Sequence, residues 1–127
     1  MATAKNFKNT IRDRIFSAND IKEENLHIPE WDVDIIVRAL NGKQRARLLQ
    51  SALKKDGTPD LEKMYPALTI LCSYYVDEDT QEKRPVFEDA DRDAIGEKSG
   101  HALELIAQVA MRISGLTENA LKEAKNE

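Results

Sequence analysis

Few side chains in this sequence are equipped for chemistry, and they are spread thinly. His27 falls in an alternating apolar/polar segment and His101 in the first turn of an amphipathic one. Neither has an acid, base or nucleophile at a spacing that points to catalysis. Cys72 lies inside an apolar run, where a lone thiol behaves as a small core residue. A single cysteine excludes an internal disulfide and a multi-cysteine zinc site. There is no nucleophile-elbow motif and no glycine-rich phosphate loop. Asp77 and Asp79 open with the spacing of a calcium-binding loop, and Glu88 falls where its last ligand belongs. Glu82 stands where that loop needs glycine for its sharp turn, so calcium is not expected there. No catalytic residue, metal site or cofactor is expected.

Binding is the chemistry left open. Trp31 sits at a predicted bend, and the neighbouring Tyr74 and Tyr75 cannot share one helical face. With Ile28 and Phe87 they form the candidate partner-binding set, because large aromatic and apolar side chains dominate interface energetics. Lys43, Arg45, Arg47, Lys54 and Lys55 make one helix strongly basic. Such a run reads as a solvated face, with a docking face for an acidic partner as the alternative.

The elements that must position these residues follow from periodicity. Leu26 and Ile28, then Val33, Ile35 and Val37, alternate with polar residues on either side of Pro29, which predicts a β-hairpin over 24–39. Asn41 with Gln44 is a capping pair for a helix over 42–55, ended by Gly57–Pro59. The apolar segment 60–76 is long enough for a helix, although TILCSYYV also admits a strand. Asp89 opens a short helix over 89–96. The clearest helix is 99–114, with Ala102, Leu105, Ile106, Val109, Ala110 and Ile113 on its apolar stripe. Gly115 suits the left-handed position after it, and Thr117 begins a last helix over 117–124. Residues 1–18 form a flexible or partly helical segment and 123–127 a frayed end, leaving one globular domain over 19–122. The fold class is mainly α with a small N-terminal β-hairpin, an α+β domain.

Composition agrees with a single domain. The chain has 127 residues, 41% hydrophobic and 33% charged, with a net charge of -4. The acidic balance disfavours a nucleic-acid partner. No apolar run is long enough to cross a membrane, and no secretory leader is evident, so a cytoplasmic protein is expected.

Several segments together resemble one family, the tail assembly chaperones of long-tailed bacteriophages and prophages. Ala18-Asn19-Asp20-Ile21 with Glu23 looks like the family's opening, and His27-Ile28-Pro29-Glu30-Trp31 is similar to its Val-Pro-Glu-Trp strand. Val33 to Leu40 resembles the second strand, leading through Asn41-Gly42 into a helix. Val76-Asp77-Glu78-Asp79, Phe87 with Asp89 and Ala90, Gly96-Glu97-Lys98-Ser99 and Ser114-Gly115-Leu116-Thr117 continue the likeness in order over about residues 15–122. The chain departs from the pattern at Asp32, where the family commonly has glycine, and at Thr80 with the charged insert that runs to Lys83.

The resemblance implies a non-enzymatic protein of the host bacterial cytoplasm that binds the tape measure protein and promotes tail tube assembly. It also implies the major tail tube protein as a second partner, self-association, a longer frameshifted form, and absence from the mature virion. The alternatives are another small phage structural or head-tail connector protein, or a small carboxylate-dependent enzyme.

Overall fold

The computed structural model describes residues 4–116, with side chains described from residue 10. The helix expected over 117–124 and the end at 123–127 lie outside the described residues. The N-terminal segment is helical, α1 (Ala4–Ser17), and is followed by β1 (Glu23–Ile28) and β2 (Val33–Arg38). The two strands pair antiparallel from Ile28↔Val33 to Glu23↔Arg38. Alternation turns Leu26, Ile28, Ile35 and Val37 to the core, while Asn25, His27 and Asp34 face outward.

Asn41 starts α2 (Gly42–Ser51) through a reciprocal cap: its side chain accepts from Gln44 N at 2.9 Å, and Gln44 Oε1 accepts from Asn41 N at 3.0 Å. This helix stops four residues short of the expected 55. Leu53 instead pairs with Pro59 in an isolated bridge, Lys54 N donates to Thr58 O, and Asp60 N donates to Ala52 O. Gly57, at φ 85, provides the left-handed turn inside that loop.

The helix expected over 60–76 is a helix only in its first part, α3 (Leu61–Cys72); residues Ser73–Val76 form β3. Ser73 N still donates to Thr69 O, and the backbone then turns directly to extended geometry with no loop. Tyr74, Tyr75 and Val76 are good strand formers, and pairing on both sides decides in favour of a strand. β3 meets β2 at Ile36↔Tyr74 and Val37↔Ser73, and meets β4 (Lys83–Pro85) over three pairs. The α+β class holds, but the hairpin is half of a four-stranded antiparallel sheet ordered β1-β2-β3-β4.

A single 3₁₀ turn (Asp89–Asp91) then leads into α4 (Arg92–Gly96). The expected cap, Asp89, does not make this start; Glu88 does, in a reciprocal box with Asp91, whose carboxylate accepts from Glu88 N at 2.9 Å. Ser99 caps α5 (Gly100–Ile113), accepting from Ala102 N at 3.3 Å. The buried face of α5 includes Leu103 and Ala107, while Leu105, Val109 and Ile113 are only half-buried. The expected stripe is therefore rotated, because α5 packs both on α3 and under β1 and β2.

Ile28, Val37, Leu68 and Ile106 are fully buried between the sheet and these two helices. Each such side chain contributes about 1.5–3 kcal/mol of transfer free energy. At the end of α5, Leu116 N donates to Met111 O and Gly115 N to Arg112 O, with Gly115 at φ 70. That is a Schellman closure, and glycine relieves the strain of its left-handed residue. Arg45 Nη1 donates to Ser114 O at 2.6 Å, so part of the basic α2 face holds this corner.

Ser73 is fully buried, and its hydroxyl has no hydrogen-bond partner among the described residues. Replacing Ser73 with alanine removes a desolvated polar atom and leaves little void. We expect Ser73→Ala to raise stability by about 1 kcal/mol in chemical denaturation. A lowered midpoint would show that the hydroxyl is satisfied.

Candidate protein-binding groove

Of the five candidate contact residues, the structure brings two together. Trp31 and Phe87 line an apolar groove of about 340 Å³ together with Ala94 and Ile95, and Asp91 and Lys98 are its charged lining residues. Ile95 is buried and packs with Ile70 and Leu103 beneath the groove, so the floor is continuous with the core. Trp31 and Phe87 rest on that same cluster and are half-buried.

The turn that carries Trp31 is tight. Trp31 N donates to Ile28 O at 3.2 Å and Asp32 N to Pro29 O at 3.3 Å. Asp32 takes φ 49, a left-handed conformation that aspartate tolerates better than most side chains. Glu30 then ties the turn to the start of α5. Its carboxylate accepts from His101 Nδ1 at 2.6 Å and from Ser99 Oγ at 3.2 Å. The positive end of the α5 dipole lies at the same place and favours a carboxylate there. The hydrogen bond from His101 holds the Glu30 carboxyl below its ordinary range, against a weaker opposing effect of desolvation.

The other candidates lie elsewhere. Ile28 is fully buried and offers nothing to a partner, a correction that follows from its inward register on β1. Tyr74 is half-buried on the outer face of β3, with the Arg38 guanidinium 5.4 Å from its ring centre. Tyr75 is exposed and borders a second, more polar cleft of about 660 Å³, where β2 and β3 diverge beside Asp34 and His27. His27 Nδ1 donates to Asp34 there at 2.7 Å.

Sequence reasoning missed Ala94, Ile95, Asp91 and Lys98. The available signal was Ile95, an isolated large apolar residue in a charged stretch that follows Phe87.

The remaining chemically equipped residues are occupied structurally. Burial pushes the Cys72 thiol up to about 12, so it is not a thiolate at neutral pH. Asp77 organises the β3–β4 loop, accepting from Asp79 N at 2.9 Å and Arg84 Nε at 3.0 Å. Among the described residues no group of three or more His, Cys, Asp or Glu side chains could hold a metal ion. No described helix is long and apolar enough to cross a membrane.

No protein-family model matches the chain, and no curated protein matches it. Among solved structures it is similar to the bacteriophage HK97 tail assembly chaperone, with a TM-score of 0.54 at 18% identity. In fold, this chain is similar to a phage tail assembly chaperone. The likeness covers 82% of this chain and 97% of the chaperone chain. The chaperone's backbone arrangement is thus matched almost from end to end.

The Glu30–His101 link has a definite pH dependence. A carboxyl held below its ordinary value of 4.5 stabilises the fold above that value and loses the contribution as pH falls through its folded pKa. His101→Ala is expected to move the Glu30 pKa upward toward 4.5, read by NMR of its side-chain carboxyl carbon. An unchanged Glu30 titration in the variant would show that His101 is not what depresses it.

Proposed function

We propose that this chain is a tail assembly chaperone that shields an apolar helix of the tape measure protein in the Trp31–Phe87 groove. The observation that carries this reading is the groove itself, an apolar slot opening on the surface of a body whose fold is similar to that of such a chaperone. A long helical protein exposes apolar stripes until its own assembly partners cover them. A groove lined by Trp31, Phe87 and Ile95 fits the recognition of a helix by a few apolar anchors. Repeated weak sites along one client gain by multivalency.

On this reading the chain performs no catalysis, works in the host cytoplasm, also assists the major tail tube protein, and leaves before the virion is complete. A longer frameshifted product belongs to the same proposal. Tyr75 stands apart from the groove and is a secondary contact at most.

Co-expression with the tape measure protein is the test. The partner should become soluble and co-purify with this chain. Ala94→Asp puts a carboxylate at the apolar wall from an exposed position and should weaken the complex at least roughly tenfold. The contact is mainly apolar, so moderate salt should change it little. A client equally insoluble with and without this chain, or abundant copies of the chain in finished tails, would overturn the reading.

A further inference from the structure

The residues around α4 divide between two clefts. Asp91, Ala94, Ile95 and Lys98 line the Trp31–Phe87 groove. Their numbering follows the spacing of one helical stripe. The stripe begins in the 3₁₀ turn and ends just past α4, where Lys98 N still donates to Ile95 O at 2.9 Å. Arg92, Asp93 and Glu97 border a different cleft, which they share with Glu62 and Lys63 of α3. The groove therefore carries one acid and one base, and they are the first and last residues of its α4 stripe. Two helical turns separate them, roughly 10 Å.

Both charges are available to a partner. The ion pairs beside them close without them: Arg92 with Asp89 at 3.5 Å, and His101 with Glu30 at 2.6 Å. Lys98 is exposed. Asp91 Oδ2 accepts from Glu88 N at 2.9 Å, which leaves Oδ1 for a partner. The groove, about 340 Å³, is smaller than one turn of a helix about 10–12 Å across, so only the side chains of a bound helix enter it.

We propose that Asp91 and Lys98 read the order of charge on the client helix. The fitting segment carries an apolar pair flanked, two turns apart, by one basic and one acidic residue, with the basic one against Asp91 and the acidic one against Lys98. This rests on the groove being a helix-binding site. A helix laid nearly parallel to the stripe, about 20° off, keeps both ends in contact. Because the two ends differ in sign, such a helix fits in one direction only. A segment whose basic residue comes first runs the same way as α4, and one whose acidic residue comes first runs the opposite way. A segment with two like charges meets one attraction and one repulsion in either direction and is disfavoured. The lining charges cancel, so the order of charge is read and not its amount.

Trp31 is the only tryptophan of the chain and lines the groove, so its fluorescence reports occupancy. The probes are alanine-rich peptides of about 20 residues, long enough to hold a helix alone. They lack tryptophan and tyrosine, and each places a leucine pair between two charged residues at the spacing of the stripe. The charges are Lys and Glu in either order, two Lys, or two Glu. The full chain should bind the mixed peptides about fivefold more tightly than either like-charged one, since exposed ion pairs are individually weak. Lys98→Glu should transfer the preference to the two-lysine peptide. Asp91→Asn keeps an oxygen for Glu88 N and should abolish discrimination against the two-glutamate peptide. Direction is read by NMR: a nitroxide on the peptide N-terminus should broaden amides more strongly near Asp91 for the Lys-first peptide and near Lys98 for the Glu-first one. Equal affinities for all probes, variants that keep the wild-type preference, or broadening independent of charge order would overturn the proposal and leave the groove as a helix site. Silence of Trp31 toward every probe would overturn both.

Discussion

The fold depends on the seam where α5 lies between α3 and the underside of the hairpin. Ala102, Ala107 and Ala110 on α5, with Ala67 on α3, are nearly or fully buried. Small residues at that contact let the two helix backbones approach, and Met64, Leu68 and Ile106 fill the remaining space. Close packing makes this arrangement hard to deform, since interiors tolerate little change of volume. The ends of α5 are tied to other elements. Its start is bound to the hairpin turn through Glu30, and its finish to α2 through Arg45. The groove lies beside the first of these ties, and Trp31 is held there both by its tight turn and by packing against Ile70, Ile95 and Leu103.

The same seam accounts for how function divides over the surface. The sheet turns its inner face to the helices, and its outer face carries paired or charged groups such as His27 with Asp34 and Arg38 with Tyr74. Large apolar side chains stay exposed at the hairpin turn (Val33), along β3 (Tyr75 and Val76) and on α1 (Ile11, Ile15 and Phe16). Apolar side chains left facing water in this way are costly unless something covers them.

Local signals in the sequence located features that are locally determined. Alternation over 24–39 marked the hairpin, Asn41 marked the start of α2, and Gly115 marked its own left-handed turn. What could not be read depends on distant partners. The run SYYV suits a helix or a strand, and only its pairing with β2 and β4 decides. β4 is three residues, Lys83–Pro85, with no periodicity to detect. The apolar character of Ile28 is visible in sequence, whereas its inward register, which buries it, is not. The groove joins Trp31 to residues some sixty positions later, and no spacing rule connects them. The rotated face of α5 has the same origin, since a helix covered on two sides does not show a single stripe.

The junction between α3 and β3 sets where this chain can vary in length. Cys72 ends the helix and Ser73 begins the strand, with no residue between them to absorb a change. Side chains advance by a fraction of a turn along a helix and by alternation along a strand. One residue gained or lost at this join would exchange the places of Ser73 and Tyr74, driving a phenol ring into the core and inverting every outward group of β3. The loop over 77–82 behaves in the opposite way: it is exposed almost throughout. Over evolutionary time, insertions and deletions should accumulate in that loop and be purged at the join. The outer hairpin can then drift in length while its orientation on the core stays fixed.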